Sequence, residues 1–375
     1  MLRPLLLACA VLLAIGRPAA AFDTPARAAI VLDYRTNAVL FAKNQDQPVP
    51  PASMSKLMTT YLVFEALKEG SLKLTDTLPV SEKAWRVEGS EMFVKVGDRV
   101  KVEDLVRGMI IQSGNDACIV FAEALAGTEA AFAERMTEKA KELGLTHSHF
   151  GNATGLPDPQ QYMSVRDLAT LARAIIHDFP EYYHYYGERE YTYNNIRQPN
   201  RNPLLQEGIP GVDGIKTGYT KEAGYGLVAS ADRNGRRLIM VLAGLESIRQ
   251  RRQEGAALLE YAYREFQEYR VFQPGQTVAE AGVWQGAMPK VPLVAEDVVG
   301  VTLSRDARKG MVVKMNYDSP IPAPIAKGQK LGSVEITAPG TDPVTVPLVA
   351  GQEVPKAGVV GRIAGAINYL VFGAG

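Results

Sequence analysis

The stretch PASMSKLMTTYLV, residues 51–63, decides how the first half of the chain is interpreted. It places Ser53 three residues before Lys56 and continues with apolar residues at the three-to-four spacing of a helical face. Positions three apart share a helical face, whereas adjacent positions are turned about 100° apart, so Lys56 can reach the hydroxyl of Ser53 and not readily that of Ser55. The stretch therefore predicts a helix that opens on a serine–lysine pair.

The protonation state of the lysine sets the condition under which such a pair can react. A serine hydroxyl needs a base, and a lysine amine can serve only when it is neutral. An ordinary lysine has a pKa of about 10.4, which burial and a second nearby cation would both lower. The pair therefore predicts another positive residue in the same cleft. The alternative, which the tetrapeptide alone favours, is that Ser53 only caps the helix and Lys56 is solvated.

Two further motifs change that balance. QSGND places Ser113 and Asn115 at a predicted break between helices, where short side chains can face a cleft. VDGIKTGYT places Lys216, Thr217 and Gly218 at the start of a predicted strand, and Lys216 is the second cation that the pair requires. Ser-x-x-Lys, Ser-x-Asn and Lys-Thr-Gly in this order are the motifs of penicillin-recognising serine enzymes.

Hydrophobic patterning divides the mature chain into two folded parts. A hairpin near the start, a helical middle, strands from about residue 190 and a closing helix predict a domain over residues 22–270. Its sheet would take strands from both ends of the domain and be flanked by helices. Short alternating runs separated by Gly, Pro, Asp and Asn, with no helical period, predict a small all-β domain over residues 271–355.

Both ends of the chain carry apolar segments. Arg3, an apolar run and a series of alanines predict a secretory signal peptide over residues 1–21, too short for a permanent membrane span. In the tail, residues 356–375, apolar residues fall on one helical face, but Arg362 and several glycines make a span marginal. A helix lying on the membrane surface is expected, and a terminal helix packed on the β domain is the alternative.

Composition excludes several classes of function. The 41 basic residues balance the 41 acidic ones without a dense basic run, so no nucleic-acid partner is expected. Cys118 is the only cysteine after the signal peptide and cannot form an internal disulfide; a buried, inert thiol is expected. The histidines are not spaced with cysteines or acids as a ligand set, so no metal is expected either.

The three motifs, together with NNIRQPNRNPLL and AGYGLVASA, resemble the low-molecular-mass penicillin-binding proteins. These are the serine-type D-alanyl-D-alanine carboxypeptidases that include penicillin-binding protein five, and the resemblance covers nearly the whole mature chain. It implies an α+β fold: a penicillin-binding/β-lactamase-like transpeptidase domain with an antiparallel sheet, a small all-β domain and a C-terminal amphipathic helix. It further implies an exported enzyme, peripheral on the periplasmic face of the inner membrane. Such an enzyme removes the terminal D-alanine from peptidoglycan pentapeptides, is acylated by β-lactams and uses no cofactor.

The resemblance also implies roles for individual residues. Ser53 would attack the carbonyl of the penultimate D-alanine, and Lys56 would take its proton. Ser113 would relay a proton to the leaving amine, and Asn115 would hold Lys56 and the substrate amide.

Binding of the terminal carboxylate is expected at Lys216 and Thr217, with Arg201 and Arg251 as further contacts. A structural ion pair is the alternative for Arg201. The backbone N–H groups of Ser53 and Tyr219 would hold the oxyanion, and a side chain at Gly218 would obstruct a peptide lying along the strand. Many relatives carry histidine where this chain has Tyr219, which leaves any side-chain role there open.

Three other functions fit parts of the same pattern. A β-lactamase or a D,D-endopeptidase could use the same triple of motifs, although SGN in place of Ser-Asp-Asn and the extra β domain argue against a β-lactamase. A non-catalytic wall-binding protein on a degenerate fold is the third, and the intact motif set argues against it. The carboxypeptidase remains the expected function.

Overall fold

A computed structural model of the chain describes residues 22–361 and residue 363. The predicted signal peptide, residues 1–21, lies outside the described residues, as does most of the predicted terminal helix. In the part of the chain that the structure covers, no helix has both the length and the apolar character to cross a bilayer.

The first part of the chain alternates strands and helices. Its strands are β1 (Ala28–Asp33), β2 (Val39–Lys43), β3 (Thr77–Pro79), β4 (Arg99–Lys101), β5 (Ser148–His149), β6 (Tyr162–Met163), β7 (Glu190–Tyr193), β8 (Ile196–Pro199), β9 (Val212–Thr220), β10 (Gly224–Arg233) and β11 (Arg236–Leu245). Its helices are α1 (Lys56–Glu69), α2 (Glu82–Trp85), α3 (Val102–Ile111), α4 (Asn115–Ala126), α5 (Glu129–Glu142), α6 (Val165–Asp178), α7 (Pro203–Gln206) and α8 (Ile248–Glu265).

A five-stranded antiparallel sheet in the order β2-β1-β11-β10-β9 forms the centre of this part. Its strands come from both ends of the segment, and helices flank it, as predicted. The tight turn between β10 and β11 lies at Asn234 and Gly235, which both adopt a positive φ. Strand β9 is the outermost strand on one side, so its free edge is available to line a cleft.

The two faces of the sheet bury separate apolar clusters. Successive side chains of β1 point to opposite faces. Ala28, Ile30 and Leu32 join the cluster that includes residues of α1 and α6, whereas Ala29 and Val31 join the cluster that includes residues of α8. All of β1 is therefore buried, which explains its uninterrupted apolar sequence.

Helix α1 lies at the centre of the helical half. Every residue from Lys56 to Phe64 is buried, because α1 packs against α3, α4, α5 and α6. The helix ends at Gly70, whose φ of 77° is the left-handed conformation of a helix C-cap. Helix α1 is therefore held in place by the helices packed around it.

The remainder of the chain forms a second, mainly β, part. Its strands are β12 (Phe266–Phe272), β13 (Thr277–Trp284), β14 (Lys290–Val294), β15 (Val299–Ser304), β16 (Val312–Tyr317), β17 (Ile321–Pro322), β18 (Lys330–Thr337) and β19 (Val344–Ala350). Strand β12 pairs with β15, and the other six strands form a sheet in the order β16-β18-β19-β14-β13-β17 over a separate apolar core.

Two details differ from the sequence-based expectation. The helical spacing was expected to run through RRQEGAALLEYAYREFQEY, but α8 ends at Glu265 and Phe266 begins a strand paired with β15. The β part also contains a short helix, α9 (Arg305–Lys309), which Ser304 caps by accepting a hydrogen bond from the Ala307 N–H. Both segments are short or amphipathic, so tertiary pairing decides their conformation.

Candidate active site

Ser53 lies in the 3-10 turn Ala52–Ser55, which leads directly into α1. The Lys56 Nζ donates to Ser53 Oγ over 3.0 Å, whereas the Ser55 hydroxyl donates to the Ala52 carbonyl over 3.0 Å. Neither serine side chain caps the helix, and Lys56 is fully buried. The geometry is that of a serine–lysine pair, not that of a helix cap beside a solvated lysine.

The environment of Lys56 brings its pKa closer to neutral pH. Its ammonium also donates to Asn115 Oδ1 over 2.7 Å and to the carbonyl oxygen of Thr154. Burial, aided by the charge of Arg201 and opposed by Cys118 and Asp116, lowers the pKa of Lys56 to about 8. A base with this pKa is partly deprotonated near neutral pH, as proton abstraction from a serine requires.

Ser113 and Asn115 lie at the break between α3 and α4. The positive φ of Ser113, 62°, places it in a conformation that few residues other than glycine adopt. Its hydroxyl accepts a hydrogen bond of 2.9 Å from Lys216 Nζ. Asn115 begins α4, accepts from Lys56 and donates from Nδ2 to the Glu88 carbonyl over 2.7 Å. The SGN motif therefore connects the two lysines of the site.

Lys216 and Thr217 lie on the edge strand β9 and are both buried. The Lys216 ammonium donates to Ser113 Oγ and to the Thr217 carbonyl. Burial holds the pKa of Lys216 well below its usual range, and the positive charges of Lys56, Arg201 and Arg251 add to this effect. The second cation that the sequence predicted is thus in the same cleft as the first.

Gly218 allows β9 to approach the turn that carries Ser53. A Cβ there would lie 2.9 Å from the Pro51 carbonyl oxygen and 3.0 Å from Met54 Cγ. Gly226 pairs with Gly218 across the strands, and its Cβ would lie 2.5 Å from Met54 Cε. Room for a substrate at Gly218 stays a prediction; the structure shows in addition that the two glycines make room for Met54 of the turn.

Arg201 is exposed beside the cleft and donates to Ser90 Oγ. Burial of its head group lowers its pKa, and no acidic side chain contributes to the shift. Within the described residues Arg201 therefore lacks the acidic partner that the alternative of a structural ion pair requires. Its guanidinium remains charged and free to meet an anion.

Arg251 contacts β10 instead of the other predicted site side chains. It is buried, its Nη1 donates weakly to the Gly226 carbonyl at 3.5 Å, and its guanidinium carbon lies 5.6 Å from the centre of the Tyr225 ring. Burial lowers its pKa to about 10, and Tyr225 opposes this shift. Tyr219 stacks on Tyr225 at 4.2 Å and is 54% exposed. Arg251 thus acts on the cleft through its charge.

Several features of the site had no signal in the sequence motifs. The Thr154 carbonyl accepts from Lys56. Gly155, with a φ of 81°, leaves room for the turn that carries Ser53, because a Cβ there would lie 2.1 Å from the Ala52 carbonyl oxygen. The Glu88 carbonyl orients Asn115. These contributions come from backbone atoms, and only a glycine in the stretch NATGL hints at one of them.

The described residues contain no group of three or more His, Cys, Asp or Glu side chains that could hold a metal ion. Cys118 is buried, and burial raises the pKa of its thiol to about 12, so it is an inert core residue. The chemistry available to the cleft is that of a serine hydroxyl, two buried lysines and exposed or buried arginines.

A serine beside a buried lysine, with a second lysine on a strand edge, is typical of acyl-transferring serine enzymes. The chain belongs to the D-alanyl-D-alanine carboxypeptidase family, peptidase S11, whose family model matches residues 16–247. A second family model, the C-terminal domain of penicillin-binding protein 5, matches residues 266–356. The chain is accordingly a serine-type D-Ala-D-Ala carboxypeptidase, a cell-wall hydrolase of the penicillin-binding protein group.

Relatives support this assignment over most of the chain. The D-alanyl-D-alanine carboxypeptidase DacC of Escherichia coli K12 is 41% identical over 90% of this chain and 86% of its own length. The crystal structure of penicillin-binding protein 5 from Haemophilus influenzae superimposes with a TM-score of 0.84 at 36% identity, covering 90% of this chain and all of that one.

Penicillin-binding protein D2 of Listeria monocytogenes has been solved in ampicillin-bound and cefotaxime-bound forms. Each form has a TM-score of 0.60 at 29% identity, covering 66% of this chain and all of that one.

Proposed function

We propose that Ser53 is the nucleophile of the carboxypeptidase reaction and that Lys56 is its base. The observation that carries this assignment is the 3.0 Å hydrogen bond from the buried Lys56 ammonium to Ser53 Oγ. The neutral amine takes the hydroxyl proton as Oγ bonds to the carbonyl carbon of the penultimate D-alanine. Backbone N–H groups of Ser53 and Tyr219 hold the oxyanion that forms.

Collapse of this intermediate breaks the peptide bond and leaves the peptide esterified to Ser53. Ser113 passes a proton to the departing D-alanine amine, and its hydrogen bond with Lys216 supports that role. Water then hydrolyses the ester, which restores the Ser53 hydroxyl and releases the shortened peptide. Asn115, held between Lys56 and Glu88, is placed to bind the substrate amide.

The substrate we propose is a peptidoglycan pentapeptide with a free terminal carboxylate. Lys216 and Thr217 lie on the edge strand β9, and the charge of Arg201, which has no acidic partner among the described residues, acts on Lys216. Arg251 adds positive charge from behind β10. β-Lactams carry a carboxylate next to a strained amide, and the antibiotic-bound forms of the Listeria relative support acylation of this chain by the same compounds.

The test compares two neighbouring serines. Ser53→Ala should lose both covalent labelling by a fluorescent penicillin and release of D-alanine from a D-Ala-D-Ala-terminated peptide. Ser55→Ala, which removes only the hydroxyl bonded to the Ala52 carbonyl, should keep both. Labelling that persists in Ser53→Ala at the rate of the unaltered enzyme would refute the assignment.

We further propose that the protein is exported and that its tail associates with a membrane surface. The signal-like N-terminus supports export. The exposed side chains of Val359, Val360 and Ile363, at 64%, 82% and 57% of their full surface, support an apolar tail that is available to lipid. Removal of residues 356–375 should move the mature protein from the membrane pellet to the soluble fraction, whereas an unchanged distribution would refute the anchor.

A further inference from the structure

Asp116, the residue after Asn115, is a buried carboxylate that the mechanism above does not use. It is 1% exposed, and its oxygens accept hydrogen bonds from four backbone N–H groups. Three belong to consecutive residues of one segment, Met92 (3.0 Å to each oxygen), Phe93 (2.9 Å) and Val94 (3.2 Å). The fourth is the N–H of Ala117 at 2.9 Å. Asp116 therefore fixes the backbone of a segment that precedes β4.

The same segment contacts the active site at two further points. The Asn115 amide donates to the Glu88 carbonyl over 2.7 Å, and the Asn115 N–H donates to the Ser90 carbonyl over 2.6 Å. The Ser90 hydroxyl accepts a hydrogen bond from Arg201. One segment, residues 88–94, thus links the amide that holds Lys56 to the arginine proposed to meet the substrate carboxylate. We call it the 88–94 segment.

The 88–94 segment has little regular structure of its own to hold it in place. No strand or helix is assigned within it, and Phe93 adopts a positive φ of 68°, which costs a residue with a large side chain about 1 kcal/mol or more. Phe93 is also 43% exposed, so burial of its ring does not fix it. The hydrogen bonds to Asp116 restrain the backbone at this point, together with the burial of Met92 and Val94, and a charged acceptor roughly doubles the strength of each hydrogen bond.

We propose that Asp116 is a positioning residue of the active site: by fixing the 88–94 segment it aims the Asn115 amide at Lys56 and places Ser90 beneath Arg201. The proposal rests on the roles assigned to Lys56 and Arg201 above. It predicts that a change at Asp116, which touches no substrate, alters both the acylation step and recognition of the substrate carboxylate.

The test is Asp116→Asn, which keeps the shape of the side chain and removes its negative charge. It also places an amide N–H₂ donor where the backbone N–H groups of the segment need an acceptor. The matched control is Asp167→Asn. Asp167 is also buried, at 3% exposed, and its carboxylate accepts from the His147 N–H over 2.8 Å and the Ser148 hydroxyl over 2.7 Å, away from the site. Rates are normalised to the enzyme that a fluorescent penicillin can label to completion, which removes the unfolded fraction from the comparison.

We expect Asp116→Asn to lower kcat/KM for a D-Ala-D-Ala-terminated peptide about 10- to 100-fold, as small displacements of positioned groups do, and Asp167→Asn to change it less than about 2-fold. The pH profile of kcat/KM is a second readout, because general damage to the fold does not shift it along the pH axis. Lys56 is faced by Asp116 and Cys118 from α4, by Lys216 from β9 and by Arg201. The Asp116 charge raises the pKa of Lys56, so its removal lowers that pKa and moves the acid limb of kcat/KM to lower pH.

The proposal is contradicted if Asp116→Asn has the same kcat/KM as the control variant. It is also contradicted if kcat/KM falls while the acid limb of its pH profile stays at the original pH. Persistent labelling of Ser53→Ala would instead overturn the proposed nucleophile, so the two failures are distinguishable. If Asp116→Asn does not fold, Ser90→Ala gives a second test, because it removes only the acceptor of Arg201. It should raise KM for the peptide severalfold with kcat unchanged, and an unchanged KM contradicts the proposal.

Discussion

The protonation of Lys56 gives the account its sharpest quantitative prediction. With a pKa of about 8, Lys56 is neutral in about a tenth of the molecules at pH 7 and in about nine tenths at pH 9. If the neutral amine takes the Ser53 proton, the second-order rate of acylation by a penicillin should rise about 10-fold between pH 7 and pH 9 and level off above it. The sign follows from the role: a base gains activity as it loses its own proton.

The perturbation is Lys56→Arg, which keeps a positive charge and removes the base, because a guanidinium does not titrate in this range. General-base catalysis contributes about 100- to 10,000-fold, so the acylation rate should fall by at least about 100-fold and lose its dependence on pH. The matched control is Lys68→Arg near the end of the same helix, where the ammonium donates to the Asp178 carbonyl in an exposed position. It should leave the profile unchanged.

Stopped-flow fluorescence with a labelled penicillin, from pH 6 to pH 10 at constant ionic strength, measures the rate directly. Two results would refute the reasoning: an acylation rate that does not change between pH 7 and pH 9, or a Lys56→Arg enzyme that retains more than about a tenth of the original rate. Either result would show that another group removes the proton from Ser53.

Three further predictions concern the frame of the site. Gly155→Ala should lower the free energy of unfolding by more than Gly70→Ala does, and it should slow acylation. Both glycines have a positive φ, but only a Cβ at residue 155 would meet the turn that carries Ser53. Chemical denaturation and labelling rates measure the two effects, and equal effects of the two variants would contradict the prediction. Lys216→Ala should raise KM for the D-Ala-D-Ala peptide about 10- to 100-fold, since it removes a buried hydrogen-bond donor, and an unchanged KM would exclude Lys216 from carboxylate binding. Cys118 should resist iodoacetamide at pH 8 in the native protein and react after unfolding, because burial raises the pKa of its thiol to about 12. Mass spectrometry measures the labelling, and rapid labelling of the native protein would contradict the prediction.

The sequence predicted the parts of the site that depend on local geometry. Helical periodicity selects Ser53 over Ser55 as the partner of Lys56, and the hydrogen bonds of both serines agree with that choice. The need for a second cation led to Lys216, which lies in the same cleft. The antiparallel sheet built from both ends of the first part, and the β part after it, also followed from patterning.

Other parts of the site depend on contacts that residue types do not encode. The Thr154 and Glu88 carbonyls accept from Lys56 and Asn115, and any residue could supply a carbonyl at those positions. The close approach of Met54 to Gly218 is likewise a tertiary contact that no sequence motif encodes. The strand that starts at Phe266 was missed because its sequence continues an amphipathic helical pattern and only its pairing with β15 decides between the two.

Acylation of Ser53, activated by Lys56, can be located directly on the chain. Incubation of the intact protein with a penicillin, followed by proteolysis and mass spectrometry, locates the adduct directly. The account predicts one penicilloyl group per chain on the peptide that contains residues 51–63, with fragment ions that place it on Ser53. An adduct on Ser55 or Ser113, or a stable adduct that forms equally well in Lys56→Arg, would contradict it.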